Sequence, residues 1–150
     1  MLSWTGDEKA FRQLLSILLD NALKYTPGRG HIFVSLKKEG HVLRCTISNT
    51  IEQAISPDSL KRLFDRFYRT DHSRNSQTGG YGLGLSIAKS IVSSHKGKIR
   101  AYCPEPHILA ICVEFLIWYK TCMEIVTCVF YIFLYKRKQM CTVFEKISGI

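Results

Sequence analysis

At 150 residues the chain has room for one domain with a sizeable core, or for a smaller domain plus an appendage. With 46% hydrophobic and 22% charged residues it is composed to fold, which excludes a disordered chain. Its formal charge of +9 is spread out, 16 basic and 10 acidic residues up to Leu116 and 5 and 2 beyond it, so it attracts anions of many kinds; without an interleaved aromatic-and-basic signature it does not indicate nucleic acid.

Thr5-Gly6-Asp7-Glu8 has the form of a capping box, with Glu8 three residues after the Thr5 hydroxyl. Phe11, Leu14, Leu15, Leu18, Leu19 and Ala22 follow at helical spacing and predict one apolar face of a long helix, which Pro27-Gly28 ends. Asn21 shares a stripe with Ile17, Lys24 and Tyr25 beside that face. Such an asparagine is either a solvated boundary residue or an amide oxygen aimed into a pocket as a metal ligand, with a cation and a ring one turn on. Ile32 to Leu36 and Val42 to Ser48 read as two β-strands joined through Lys38-Glu39-Gly40, and Asn49-Thr50 closes the second. Ser56-Pro57 supplies an N-cap and a first-turn proline for a short helix from Asp58 to about Phe67.

From Asp65 to Gly80 the chain turns polar, with Arg66, Arg69 and Arg74 among Asp71, His72, Ser73, Asn75, Ser76 and Gln77. That composition fits a solvated linker, and it also fits a lid over a nucleotide; His72 reads as a surface residue. Thr78-Gly79-Gly80-Tyr81-Gly82-Leu83-Gly84-Leu85 then puts four glycines in six positions directly before the helical run Ser86 to Val92. A glycine loop feeding a helix N-terminus offers unpaired N–H groups and the positive end of a dipole, which suits a phosphate chain. Glycine loops are more often ordinary turns, and this spacing is neither the phosphate-loop nor the dinucleotide fingerprint. Gly84, Ile87, Ala88, Ile91, Val92 and His95 share a helix face, and Lys96-Gly97 ends the helix. Lys98 to Tyr102 and Ile108 to Leu116 predict a second hairpin around Pro104-Glu105-Pro106. The fold class is α+β: a two-layer sandwich of a mostly antiparallel sheet covered on one face by helices.

Residues 117–150 break this pattern. Ile125 to Tyr135 is nearly all apolar and aromatic, and Lys136-Arg137-Lys138 follows it. Eleven such residues are too few to cross a bilayer, so the stretch reads as an extra strand, an interfacial segment or poorly packing sequence. Five of the six cysteines (Cys103, Cys112, Cys122, Cys128 and Cys141) lie in the last third, without a C-x-x-C pair, which reads as free thiols in a reducing compartment. No basic-then-apolar leader opens the sequence, so no signal peptide is expected.

Asp20-Asn21-Ala22-Leu23-Lys24-Tyr25-Thr26-Pro27, then Leu63-Phe64-Asp65-Arg66-Phe67-Tyr68-Arg69, then Gly80-Tyr81-Gly82-Leu83-Gly84-Leu85-Ser86-Ile87-Ala88-Lys89 resemble the N, F and G2 boxes of bacterial sensor histidine kinases in order and separation. The resemblance covers about residues 7–116. It implies the ATP-binding catalytic domain of a superfamily that includes DNA gyrase, the ninety-kilodalton heat-shock chaperone and mismatch-repair ATPases. ATP is then held under a lid between the N-box and G2-box helices. By the same resemblance Asn21 binds the Mg²⁺ that bridges the phosphates, Lys24 lies near the phosphates, and Tyr25 lies beside the adenine. Phe64 and Phe67 anchor the lid, Arg69 reaches phosphate, and Gly80, Gly82 and Gly84 with the N–H groups of Leu83 and Leu85 form the phosphate-contacting turn.

Three departures qualify that picture. The stretch Asn49 to Ile55 lacks the glycines and the aspartate of the family's G1 box, so Asn49 is left as a neutral acceptor for adenine, expected to hold it more weakly. Ile17 stands where a second asparagine is frequent. None of His31, His41, His72, His95 and His107 sits in a phosphoacceptor context, so the kinase is incomplete alone and would serve a dimerisation domain or response regulator. The expected organisation is a domain over 1–116 with its first strand truncated, followed by a tail foreign to the family. The domain is expected in the cytoplasm, meeting membrane only through the tail or a partner. The alternative is a degenerate, non-catalytic regulatory or relic module that binds a kinase or response regulator.

Overall fold

The computed structural model describes residues 8–68, 82–116 and, for the backbone alone, 143–148. Helix α1 (Glu8–Tyr25) buries the stripe that the spacing predicts, Phe11, Leu14, Leu15, Leu18, Leu19 and Ala22. Each large apolar side chain buried this way contributes about 1.5–3 kcal/mol relative to exposure. The helix stops where Thr26 directs both its N–H and its Oγ1 to the Ala22 carbonyl, at 3.0 and 2.6 Å, ahead of Pro27.

Strands β1 (Ile32–Glu39) and β2 (Val42–Thr50) form the first hairpin, turning through Gly40 at φ 59. Helix α2 (Pro57–Arg62) starts as expected, with Ser56 Oγ accepting from the Ser59 N–H at 3.2 Å, but ends five residues before Phe67. Beyond it the chain closes successive three-residue turns, Leu63 to Leu60, Asp65 to Arg62 and Tyr68 to Asp65. Helix α3 (Gly84–Ser94) leads into β3 (Lys98–Glu105) and β4 (Ile108–Leu116), the second hairpin, with a register shift between Tyr102 and Glu105.

The strand order is β3-β4-β2-β1-β5, in which β5 (Val143–Ser148) runs parallel to β1 and the other pairs are antiparallel. The α+β sandwich is therefore as expected, and one edge strand comes from beyond Leu116. The Ile125 to Tyr135 stretch lies outside the described residues. Alternation along the strands sends Val34, Leu36, Leu43, Cys45, Ile47, Ile111, Val113 and Phe115 into one core with α1 and α3. On α3 the buried positions are Leu85, Ala88 and Val92, while Ile87 is exposed. Its polar residues Ser86, Lys89, Ser90, Ser93 and Ser94 share one side, and the apolar side left over is wider than the packed stripe, so spacing alone did not place the edge of that stripe. Among the described residues no helix is long and apolar enough to cross a membrane.

Candidate functional site

The last turns of α1 present Asn21, Lys24 and Tyr25, each half-buried, with Lys24 Nζ 5.3 Å from the Tyr25 ring centroid. The Asn21 side chain hydrogen-bonds to no described residue. One turn earlier, Ile17 meets the start of α3: a Cβ on Gly84 would lie 3.5 Å from Ile17 Cγ2. Packing thus sets the glycine turn against the stripe that carries Asn21. Ile17, standing where a second asparagine is frequent, is one of the contacts between α1 and α3.

The turn itself is held by the residues after α2. The Phe67 N–H donates to the Gly82 carbonyl at 3.0 Å. Gly82 has φ 68, and a Cβ there would come within 3.0 Å of the Phe67 backbone carbonyl carbon and Cα. Only glycine fits both the dihedral and the gap. The Phe67 ring is 70% exposed, and the backbone of this residue, at φ 63, makes the junction. Phe64 does pack on the core. It also lines a cleft of about 530 Å³ with Leu60, Tyr102 and Cys103, and that lining includes none of Asn21, Lys24 and Tyr25. Arg69 and Gly80 lie outside the described residues, as does the rest of the polar stretch to Tyr81.

Helix α3 begins with Leu83 as N-cap, without a side-chain cap and without an acidic residue in its first turn. Among the described residues its positive pole is therefore neither capped nor neutralised locally, which favours an anion there. Leu85 contributes a buried side chain to the core, leaving its backbone as the part that faces this turn. Asn49 completes the set. It follows Cys45 and Ile47 on the helix-covered face of β2 and is the one buried polar side chain among the described residues, 3% exposed. Its Nδ2 donates to the Thr50 carbonyl at 2.9 Å, and its Oδ1 meets no described donor. A buried acceptor without a partner costs about 1–3 kcal/mol, so the site is poised for a ligand that donates. The alternation of β2 made this burial legible in the sequence; the Thr50 carbonyl, being backbone, gave no signal.

No three His, Cys, Asp or Glu side chains gather as a metal cage among the described residues. A cation held here would lean on the Asn21 oxygen and on the oxygens of a bound anion, the donors that a hard ion such as Mg²⁺ prefers. The perturbed thiols stand elsewhere. Burial, with Cys112 nearby, pushes Cys45 up to about 12, and burial also raises Cys103. On the open face of the sheet Arg44 is raised by its 2.8 Å hydrogen bond to Glu114 and by Glu39.

Residues 6–121 match the model of the family described as histidine kinase-, DNA gyrase B- and HSP90-like ATPase. The chain is 47% identical over 94 residues to the sensor histidine kinase CusS of Escherichia coli O6:H1, which spans 63% of this chain and 19% of CusS. It is 42% identical over 96 residues to the signal transduction histidine-protein kinase BaeS of Escherichia coli K12, covering 64% of this chain and 20% of BaeS. It thus spans about a fifth of the curated relatives it matches. Among solved structures, the catalytic domain of the histidine kinase ThkA superposes with a TM-score of 0.63 at 25% identity, over 73% of this chain and 68% of that one. Full-length ShkA in complex with AMPPNP shares the fold, with a TM-score of 0.61 at 24% identity over 73% of this chain and 22% of ShkA.

Proposed function

The chain belongs to the histidine kinase-, DNA gyrase B- and HSP90-like ATPases, and on that footing we propose that it binds Mg-ATP between the end of α1 and the start of α3 for phosphoryl transfer to a histidine. The observation that carries this reading is the meeting of an Asn21 amide with no hydrogen-bond partner among the described residues, the Lys24 cation, and a glycine turn ahead of a helix without a side-chain cap. Asn21 holds the cation, Lys24 offsets phosphate charge, and Tyr25 lies beside the adenine. The turn from Gly80 through Gly82, Leu83, Gly84 and Leu85 directs its N–H groups at the phosphates, with Arg69 as a further cation and Phe64 fixing the base of the lid. Asn49 accepts from the adenine amino group. A bound magnesium ion would supply charge neutralisation at the phosphates.

Phosphoryl transfer depends chiefly on positioning and on charge stabilisation, which is what these residues provide. The acceptor histidine comes from a dimerisation domain, and a response regulator receives the phosphoryl group afterwards. The domain works in the cytoplasm, where ATP is supplied. Calorimetry of the full chain with ATP, with and without Mg²⁺, beside Asn21→Ala, tests the binding step. Saturable, Mg²⁺-dependent binding that weakens at least about tenfold in the variant is expected, a difference of about 1.4 kcal/mol. A folded chain that shows no saturation would reject the reading. Transfer is then measured by adding a histidine-bearing dimerisation domain in trans.

A further inference from the structure

We propose that the cleft between α2 and β3 is a second ligand site, apart from the nucleotide site, and that it takes a small amphipathic carboxylate, an aromatic or branched apolar body with one negative charge. Helix α2 lies against β3 without burying any of its side chains completely. Leu60, and Phe64 just beyond the helix, therefore keep apolar surface at the cleft, each half-buried. Ile55 ahead of the helix and Ala101 on β3 extend these walls around about 530 Å³, the size of a small-molecule site. A backbone hydrogen bond from Ile55 to the Cys103 sulfur ties the two walls together, so the cleft is formed before anything enters it. Phe64 is the residue it shares with the proposed nucleotide site, but the inference does not depend on that reading.

The sign of the charge comes from the rim. Among the described residues no Asp or Glu lines the cleft, whereas Lys61 and Arg100 both do. Burial raises the Cys103 thiol, so it stays protonated and does not repel an anion. Each cation has a carboxylate beside it already, and each can leave it. Lys61 meets Asp58 at 3.4 Å with the two side chains 78% and 91% exposed, a pair worth little in water. Arg100 Nη2 donates to Glu114 Oε1 at 3.1 Å, but that oxygen also accepts from Arg44 Nε at 2.8 Å, so turning Arg100 away does not strand the carboxylate. The Tyr102 ring, 5.9 Å from the Arg100 guanidinium carbon, sets an aromatic surface beside that cation. A nucleotide suits the cleft poorly, because apolar walls would leave the polar edge of its base unpaired. One charge on an apolar body matches both the walls and the rim.

The test titrates the full chain with 2-naphthoate and with its neutral counterpart 2-naphthamide, followed by naphthalene fluorescence and by calorimetry, with and without excess Mg-ATP. Wild type is compared with Arg100→Gln and Leu60→Ser, each checked for folding by thermal unfolding. Wild type is expected to saturate with 2-naphthoate at a Kd of about 1 mM or tighter, the range for a ligand of this size. It should bind the amide about fivefold more weakly, the scale of half-exposed ion pairs. Arg100→Gln should bring acid and amide together, whereas Leu60→Ser should weaken both alike, because it removes wall and leaves charge. Excess Mg-ATP should leave the 2-naphthoate titration in place. Equal binding of acid and amide by wild type would overturn the charge assignment, and an unchanged preference in Arg100→Gln would remove that residue from the rim. Displacement of 2-naphthoate by Mg-ATP, one for one, would put the probe in the nucleotide site and overturn the second site. A folded wild-type chain that shows no saturation would overturn it as well, whether or not the chain binds ATP.

Discussion

Gly82 sustains the phosphate turn through what it lacks. A methyl group there would press on the Phe67 backbone at 3.0 Å, and Phe67 cannot retreat while its N–H is bonded to the Gly82 carbonyl. Gly82→Ala adds the strain of an L side chain at φ 68, so it is expected to cost about 1–3 kcal/mol in urea unfolding and to weaken ATP binding. An unchanged midpoint would mean the turn relaxes freely. Cys45 gives a second residue-level consequence. Its folded value of about 12 lies above the ordinary 9.0, so the native state keeps a proton that the unfolded chain releases. The stability is full below about pH 9 and is lost as pH rises toward about 12, by up to about 1.4 kcal/mol per pH unit. Cys45→Val should therefore lose less stability than wild type between these limits; parallel denaturation curves would show that the thiol is not the cause.

At the scale of elements, the connection from α3 to β3 ties three parts of the core together. Lys96 turns at φ 54 and the Gly97 N–H reaches back to the Val92 carbonyl at 2.9 Å. A Cβ on Gly97 would meet the Phe115 ring at 2.7 Å and the Glu114 carbonyl at 2.8 Å. Phe115 in turn packs against Phe11 of α1, with centroids 4.9 Å apart and the rings tilted by 52°. Gly97→Ala should push that ring off α1 and lower stability by about 1–3 kcal/mol, read as a fall in melting temperature. Much at this scale was legible in the sequence. The α1 stripe, both hairpins and the Ser56 cap follow from local spacing and turn chemistry. The end of α2, the packed face of α3 and the approach of Gly97 to Phe115 do not, because each is decided by what lies across the core. The site divides the same way: Asn21, Lys24 and the glycines are marked by residue type, whereas the pairing of Phe67 with Gly82 and of Asn49 with Thr50 runs through backbone atoms.

For the whole molecule, the placement of β5 joins the tail to the site. An open β1 edge would expose a row of unpaired backbone groups beside Phe33, which is already exposed. The opposite edge, β3, carries exposed Lys98 and Arg100, the charges that discourage strand addition. In β5 the β1 edge has a partner instead, six residues in parallel register from Ile32 with Val143 to Lys37 with Ser148. The pairing continues inward, since Ile32 lies opposite Asn49 and Asn49 opposite Leu109. One row of the sheet thus runs from the tail strand to the residue assigned to the base. A chain ending at residue 142 is expected to melt lower, to self-associate with rising concentration, and to bind ATP more weakly although every proposed site residue is retained. Light scattering and calorimetry on the two lengths check this. A truncated chain that stays monomeric, with unchanged melting and affinity, would make residues 143–150 an appendage to the fold. Loss of stability with affinity intact would confine β5 to guarding the edge.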